Sequence, residues 1–417
     1  MKTLKSFRQL AIPIDWKIRK FKDVCESILD GTHFSPKSKV GPFKYITSKN
    51  IRNDGLLLSN VGFISFEEHE FIYKRCPVKK GDILLTKDGA STGTCCLNSL
   101  DEEFSLLSSV AALRVNDEHV NNQFLLQFLK SPLGQKEITD QISGQAITRI
   151  TLEKIKAFRA LVPPLAEQKA IAHVLGLVDK AIELNNKIIA QKELRKKWLM
   201  QNLLTGKKRL PGFITEWTEI RLGDLFSRVT RKNSAKCTNV VTISAQRGFV
   251  RQTDFFNKSV ASETLDNYFL VRRGEYCYNK SYSNGYPWGA TKRLNDFDEA
   301  VVTTLYICFG IANPERADGN FFEHFFEANS LDRGLTRVAH EGGRAHGLLN
   351  VTPSDFFSLK LMAPSYEEQK AIASVLDTAE KEIKLLKEKG SHIREQKKGM
   401  MQQLLTGTKR LTVEEQG

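Results

Sequence analysis

Long apolar runs are missing from this 417-residue sequence. None approaches the roughly 20 residues that a membrane span requires, and the N-terminus lacks the apolar core of a signal peptide. Cysteine pairs are also missing: the seven cysteines are odd in number, and none forms a Cys-x-x-Cys motif. We therefore predict a chain without a membrane partner, with free thiols in a reducing cytoplasm and without a zinc site.

Catalytic motifs are equally scarce. The sequence has no P-loop and no glycine-rich cofactor loop following a strand. Residues 89–93 match the nucleophile-elbow pattern around Ser91, but that motif needs a helix after it, and residues 94–97 are typical of a second strand. His340 and His346 lie close in sequence without an evident third ligand. We predict no catalytic residue, no bound metal and no cofactor on this chain.

Positive charge is abundant. The formal net charge is +14 and the pI is about 9.3. For a chain of this type, such a charge favours a polyanionic partner, most simply double-stranded DNA. An acidic protein partner is the alternative, in which case the chain would be a non-catalytic coiled-coil adaptor.

The strongest signal is an internal repeat. The hexapeptide Glu-Gln-Lys-Ala-Ile-Ala begins at Glu167 and again at Glu368, an offset of 201 residues. The tetrapeptide Leu-Leu-Thr-Gly begins at Leu203 and Leu404 with the same offset, and Trp16 and Trp217 keep it too. A repeat in constant register indicates two copies of one structural unit.

Each repeat copy predicts one long helix. Pro164 and Pro364 suit a first turn, and Gly206 and Gly407 suit the position just after a helix end. Apolar residues at spacings of three and four predict a coiled-coil seam through which the two helices pair antiparallel. The helix-pairing residues are Ile171, Leu175, Val178, Ile182, Ile189, Leu199 and Leu203 in the first copy, and Ile372, Leu376, Ile383, Leu386, Ile393, Met400 and Leu404 in the second. Gly390 interrupts the second seam and is expected to weaken it.

The rest of the chain forms two diverged halves in which short strands and amphipathic helices are mixed. Residues 43–47, 62–66 and 301–311 are predicted as strands, and residues 320–329 as a helix. We predict an α+β fold with two globular lobes, separated by the antiparallel helix pair and related by a pseudo-twofold internal repeat. The predicted boundaries are 1–160 for lobe one, 161–206 for helix one, 207–362 for lobe two, 363–407 for helix two, and 408–417 for a C-terminal tail.

Polar, glycine-containing loops recur in both halves. Residues 88–93 and 281–286 follow strands, and residues 143–149 and 341–347 close the lobes. Their Arg, Gln, Asn, Ser and Thr side chains are of the kind that reads base edges, and nearby basic residues suit phosphate contacts, although ordinary hairpin turns look the same. The predicted DNA-binding residues are Lys44, Lys49, Arg52, Lys87, Ser91, Thr92, Gln145, Thr148 and Arg149 in lobe one, and Arg247, Arg251, Lys280, Tyr282, Asn284, Arg344 and His346 in lobe two.

Taken together, the residues resemble the DNA-specificity subunit of type I restriction–modification systems. The resemblance is carried by the two copies of Glu-Gln-Lys-Ala-Ile-Ala-x-Val-Leu and Leu-Leu-Thr-Gly-x-Lys-Arg-Leu, and it covers essentially the whole chain. It implies that each lobe is a target-recognition domain that reads one half of a bipartite site, that the helices act as a spacer, and that the subunit is not catalytic. The implied partners are two modification subunits, which use S-adenosylmethionine, and restriction subunits, which use ATP.

Overall fold

The computed structural model describes residues 5–8, 10–142, 148–252, 265–341 and 349–411. The chain folds into two compact units. The first consists of Met1–Ile188 and Lys387–Gly417, and the second consists of Ile189–Leu386. Each unit thus contains one lobe and parts of both long helices.

In the first unit, the lobe is built on a four-stranded antiparallel sheet, whose strand order is Cys95–Leu97, Ile83–Thr86, Val110–Val115 and Cys25–Asp30. A three-stranded sheet, which includes a parallel pair, consists of Phe104–Leu106, Phe43–Ile46 and Gly62–Ile64. Two-stranded pairs are Lys5–Phe7 with Leu10–Ile12, Lys17–Lys20 with Arg159–Val162, and Ile51–Arg52 with Gly55–Leu56. The α-helices are Phe66–Arg75, Asn122–Lys130, Pro132–Thr139 and Leu152–Ala157, and the 3₁₀ helices are Phe21–Asp23 and Ser48–Asn50.

In the second unit, the four-stranded sheet has the order Phe226–Arg228, Ile307–Ile311, Tyr276–Asn279 and Ala290–Arg293. The two-stranded pairs are Thr218–Arg221 with Lys360–Ala363, Val241–Ser244 with Gly248–Arg251, Phe269–Arg272 with Glu299–Val302, and His340–Glu341 with Leu349–Asn350. The short helices are Leu222–Leu225, Gly319–Glu327, Asp332–Val338 and Pro353–Ser358. Aromatic rings dominate its core, where Phe226 packs edge-on against Tyr276, Phe309 and Phe322.

The two long helices are Leu165–Leu203 and Tyr366–Leu404, each 39 residues in length. At about 1.5 Å per residue, each is roughly 58 Å long. Gly206 and Gly407 have positive φ angles of 69° and 73°, as expected of glycines that follow a helix end. The predicted fold class is confirmed, because the paired helices run antiparallel in each unit.

Ion pairs and hydrogen bonds establish that direction. In the first unit, Asp179 bonds Lys397 at 2.7 Å, and seven residues further on Asn186 bonds Arg394 at 2.9 Å. In the second unit, Lys192 pairs with Glu382, and Lys196 pairs with Glu380. Residue numbers rise along one helix while they fall along the other. All fourteen predicted helix-pairing residues are buried or half-buried.

Each lobe core encloses the beginning of one helix and the end of the other. Ile171 and Leu175 pack in the first core together with Leu404, and Ile372 packs in the second core together with Leu203. Packing of a long helix against a globular half therefore accompanies helix pairing at the helix ends.

A carboxylate clamp joins the helices to each lobe. The buried Glu167 carboxylate accepts hydrogen bonds from Trp16 Nε1 at 3.1 Å and from Arg410 Nε at 2.6 Å. Its repeat counterpart, Glu368, accepts from Trp217 Nε1 at 3.3 Å and from Arg209 Nε at 2.5 Å. The repeated Trp, Glu and Arg positions are thereby explained, because all three take part in the clamp.

Two expectations require correction. Gly390 is not a defect in the seam: it is buried opposite Asn185, and a Cβ atom there would lie 2.7 Å from the Asn185 amide nitrogen. Residues 301–311 do not form the single buried strand that their sequence predicts. The structure breaks this run at residues 303–306, where Thr303 Oγ1 accepts a hydrogen bond from the Leu305 N–H. A β-branched run conceals a turn of this kind.

Candidate nucleic-acid interface

At one end of the four-stranded sheet in lobe one, several loops come together. Thr86 lies opposite Val110, Leu85 opposite Cys95, and Asp30 opposite Ala111. Because these strands are antiparallel, the loops that connect to these strand ends lie at the same end of the sheet. We call residues 30–34, 87–93, 107–109 and 148–149 the first loop cluster.

Two loops that the sequence suggested separately touch each other in this cluster. The Gly89 N–H donates to the Thr148 carbonyl oxygen at 3.0 Å, and the hydroxyls of Thr92 and Thr148 lie 3.0 Å apart. Arg149 forms a β-bridge with Asp88. Ser91 lies in the turn that follows Asp88 and leads to the strand Cys95–Leu97. The structure thus gathers Ser91, Thr92, Thr148 and Arg149 in one place. Gln145 lies outside the described residues.

Lys87 is placed differently from what was expected. Its side chain is only 2% exposed, and its ammonium lies 3.2 Å from Asp30 and 3.5 Å from Asp88. A lysine that is enclosed and paired in this way is not available to a DNA phosphate. Its alternation with neighbouring strand residues gave no sign of this burial, which depends on Asp30 from a distant strand.

The other basic residues predicted in lobe one lie on the adjoining segment. Lys49 and Arg52 are exposed, and the neighbouring Ser48 N–H donates to Ser109 Oγ at 3.3 Å, which places this segment beside the first loop cluster. Lys44 is half-buried and pairs with Glu102 at 2.6 Å.

The loop that follows Asp30 is held by Glu68. This carboxylate accepts hydrogen bonds from the Ser38 hydroxyl and from the Lys37 N–H, the latter at 2.6 Å. These donors, the Ser38 hydroxyl first, hold the pKa of Glu68 below its usual value. The carboxylate therefore remains charged and keeps the loop in place.

Lobe two gathers its loops at the corresponding end of its own sheet. Asn279 lies opposite Ala290, and Tyr278 opposite Ile307. The Leu349 N–H donates to the Lys280 carbonyl oxygen at 3.1 Å. We call residues 244–247, 280–286, 303–306 and 349 the second loop cluster.

This cluster contains four of the predicted residues of lobe two. Gln246 Nε2 donates to the Asn284 carbonyl oxygen at 2.9 Å, which brings the turn with the exposed Arg247 to the loop that carries Lys280, Tyr282 and Asn284. Arg251 lies at the other end of its hairpin, over the Phe297 ring, and is not part of the cluster. Arg344 and His346 lie outside the described residues.

Each cluster also exposes a large apolar side chain that the sequence did not single out. Phe34 is 75% exposed in the first cluster, and Leu305 is exposed in the second. Tyr282, which also belongs to the second cluster, is 66% exposed. An aromatic residue isolated in the polar run Gly31-Thr32-His33-Phe34-Ser35 was the available signal for Phe34. Exposed aromatic and apolar side chains among polar groups can contact thymine methyl groups or wedge between base steps.

The described ranges contain no group of three or more His, Cys, Asp or Glu side chains placed to hold a metal ion. Within the same ranges, no helix has the length and apolar character needed to cross a bilayer. Residues 89–93 form a hairpin, because Cys95–Leu97 pairs antiparallel with Ile83–Thr86, so the strand-to-helix setting of a nucleophile elbow does not exist there.

Comparison with known proteins gives a consistent result. A family described as the type I restriction modification DNA specificity domain matches residues 13–194. A protein of Methanocaldococcus jannaschii with the provisional name type I restriction enzyme MjaX specificity subunit is 26% identical over 430 residues, covering 95% of this chain and 94% of that protein. The type I restriction enzyme MjaVIII specificity subunit of the same organism is 23% identical, covering 97% and 95%.

A solved structure shares the fold. The S subunit of a type I restriction–modification system from M. genitalium superposes with a TM-score of 0.57 at 15% identity, covering 96% of this chain and 98% of that one.

Proposed function

We propose that this chain is the DNA sequence-recognition subunit of a type I restriction–modification complex, as its similarity to the specificity domain over residues 13–194 and to two specificity subunits along nearly its whole length supports. Each lobe reads one half of an asymmetric bipartite site, and the paired helices set the spacing between the halves. The observation that carries the proposal is the gathering of polar loops at one end of the four-stranded sheet in each lobe. The coiled-coil adaptor considered as an alternative has no support from the comparisons.

Two unlike loop clusters favour two unlike half-sites. The first cluster offers Phe34, Ser91, Thr92 and Arg149, whereas the second offers Arg247, Tyr282 and Asn284. These side chains differ in size and in hydrogen-bonding groups, so they suit different base edges. Lys49 and Arg52 are assigned to phosphate contacts, which orient a protein on DNA without specifying sequence.

The helices also offer a docking surface for partner subunits. Leu184 is 59% exposed on the first helix, and its repeat counterpart Leu385 is 55% exposed on the second. Leu177 and Ile188, both exposed, lie on the same helix face as Leu184. An apolar residue repeated at equivalent exposed positions suits two identical partners. We assign these positions to the two modification subunits, with restriction subunits joining the complex.

The chemistry is assigned to those partners. In this proposal the modification subunits use S-adenosylmethionine to methylate adenine, the restriction subunits use ATP to cleave, and this chain is non-catalytic and binds neither cofactor. The complex acts in the cytoplasm.

Methylation mapping tests the proposal. The chain is co-expressed with its modification subunits, and methylated adenines are mapped across the host DNA. The expected result is one bipartite motif with two different halves and an unread gap of fewer than about 17 base pairs, the length that a helix of about 58 Å spans. Methylation of a single continuous motif, or methylation that persists without this chain, would contradict it.

The docking surface is tested with Leu184→Glu and Leu385→Glu. Each single variant is expected to assemble with one modification subunit in place of two, as measured by native mass spectrometry, and the double variant with none. Leu194→Glu is the matched control, because Leu194 is exposed but its repeat counterpart is Glu395. Loss of assembly in the control alone would place the docking surface elsewhere.

A further inference from the structure

A nearly buried lysine stands behind the recognition loop of lobe two. The Lys292 side chain is 9% exposed; it is ion-paired with the Glu327 carboxylate, and its ammonium lies 3.2 Å from the Tyr286 hydroxyl. The Tyr286 hydroxyl donates to Glu327 Oε1 at 2.8 Å. Burial, reinforced by the negative charge of Glu327, raises the pKa of Tyr286, so its hydroxyl remains a neutral donor.

This network connects three different elements. Lys292 belongs to the strand Ala290–Arg293, Glu327 ends the helix Gly319–Glu327, and Tyr286 closes the loop that begins after Asn279. The loop is therefore attached through its last side chain to the rigid part of the lobe.

The backbone of the same loop is fixed by further hydrogen bonds. Asn329 Nδ2 donates to the Gly285 carbonyl oxygen at 2.9 Å, and Gln246 Nε2 donates to the Asn284 carbonyl oxygen at 2.9 Å. The Tyr286 N–H also donates to the Ser283 carbonyl oxygen at 2.8 Å, which closes a tight turn. The side chains left exposed are those of Tyr282 and Asn284. An asparagine amide presents the donor and acceptor that match an adenine edge.

Lobe one has a comparable arrangement. Lys87, between Asp30 and Asp88, lies at the root of the loop 88–93. Its N–H donates to the Ser109 carbonyl oxygen, and its own carbonyl oxygen accepts from the Ile150 N–H, both at 2.9 Å. A buried ion pair stabilises a fold no better than apolar side chains of similar volume, whereas its directional bonds fix one geometry.

We propose that Lys292 and Lys87 are positioning residues, each of which holds its recognition loop in one conformation through an ion pair with a carboxylate and thereby sets base discrimination at its own half-site. The inference rests on the proposed function and deepens it. It also replaces the direct DNA contact that the sequence suggested for Lys87.

The test uses the complex of this chain with its modification subunits and the motif obtained by methylation mapping. Binding is measured for the cognate duplex and for duplexes with one base changed in either half-site. Lys292→Met is expected to reduce discrimination in the half read by lobe two by about tenfold, the worth of one well-placed base contact, and to leave the other half unchanged. Lys87→Met is expected to reduce discrimination in the half read by lobe one and to leave the half read by lobe two unchanged.

Lys80→Met is the control, because Lys80 and its partner Asp101 form an exposed ion pair on the surface of lobe one. It should change discrimination at neither half-site. Where Lys292→Met fails to fold, Tyr286→Phe removes a single hydroxyl from the network and is expected to give a smaller loss confined to the same half-site. A Lys292→Met, Glu327→Gln double variant, which leaves no unpaired buried charge, should lose as much discrimination as Lys292→Met.

Equal loss of affinity for all duplexes together with a lowered Tm would indicate a merely structural role and overturn the inference. Unchanged discrimination in both Lys292→Met and Tyr286→Phe, with a specific wild-type complex, would overturn it while leaving the proposed function intact. A wild-type complex without discrimination at either half-site would overturn the proposed function, and this inference with it.

Discussion

The carboxylate clamps at the helix ends and the loop clusters at the lobe edges differ in how far the two copies have diverged. Both clamps use a tryptophan, a glutamate and an arginine at the same offset of 201 residues. The loop clusters share a position at the end of a sheet but almost no side chains. The loop 88–93 has the sequence Asp-Gly-Ala-Ser-Thr-Gly, whereas the loop 281–286 has the sequence Ser-Tyr-Ser-Asn-Gly-Tyr.

The contrast follows from what each set of residues contacts. Each clamp is held by residues of this chain alone, so a change at Glu167 removes the acceptor of the Trp16 N–H and one of the two carboxylates that bind Arg410, the other being Asp15. A loop side chain that faces solvent is constrained by the external ligand that it contacts and not by contacts within the chain. Two lobes on the same helices and clamps can therefore acquire different ligand preferences without a change in the helices or clamps.

Lengthening both helices should have the largest effect. Insertion of four residues after Gln191 and after its counterpart His392 adds about 6 Å, or one helical turn, to each helix. Methylation at the original motif is expected to disappear and to reappear at a motif whose gap is longer by at most about two base pairs, with both halves unchanged. Methylation mapping measures this outcome. A change in the base sequence of either half-site would show that the helices do not set the spacing between the half-sites.

Removal of a clamp carboxylate should have the next largest effect. Glu167→Ala and Glu368→Ala each leave a tryptophan N–H without its acceptor and remove one partner of an arginine, which keeps Asp15 or the Thr215 carbonyl oxygen, at a cost of about 1–3 kcal/mol. Thermal unfolding of the complex should show similar falls in Tm for both. Glu183→Ala, which removes an exposed i,i+4 pair with Lys187, is the control and should cost under about 0.5 kcal/mol. A large effect in only one of the two clamps would refute their equivalence.

The exposed aromatic side chains should matter less and only locally. Phe34→Ala and Tyr282→Ala are each expected to weaken binding by about 1–2 kcal/mol through lost base contacts, with the effect dependent on the sequence of one half-site alone. Competition binding against duplexes altered in one half measures this dependence. Phe71→Ala is the control, because Phe71 is equally exposed on a helix outside the first loop cluster. An equal loss for both aromatic variants at the same half-site would contradict the separation of the clusters.

The last effect is absent near neutral pH and is expected only under alkaline conditions. Burial raises the pKa of the Cys25, Cys76 and Cys95 thiols from 9.0 to about 12. Because the folded chain holds these protons more tightly, their contribution to stability is fully present below pH 9.0 and is lost as pH rises toward about 12. Urea unfolding at several pH values should show this decline. Cys95→Ala should reduce it, whereas Val110→Ala, at a buried position without a titratable group, should lower stability by the same amount at every pH.

The repeated motifs already define the helical frame in sequence. The helices predicted within residues 161–206 and 363–407 are found at Leu165–Leu203 and Tyr366–Leu404. The strands at Phe43–Ile46 and Gly62–Ile64, and the helix Gly319–Glu327, also lie where their local patterns place them. Hydrophobic spacing, capping glycines and repeated motifs are properties of neighbouring residues, so they can be read along the chain.

Tertiary structure alone decided which polar residues act together. The contact of Thr92 with Thr148, the enclosure of Lys87 by Asp30, and the approach of Gly390 to Asn185 all join residues that are far apart in sequence. Burial of a charge depends on strands that are distant along the chain, and no local pattern contains that information. The sequence by itself therefore determined the two-copy helical frame, whereas the composition of each loop cluster was determined by long-range strand pairing.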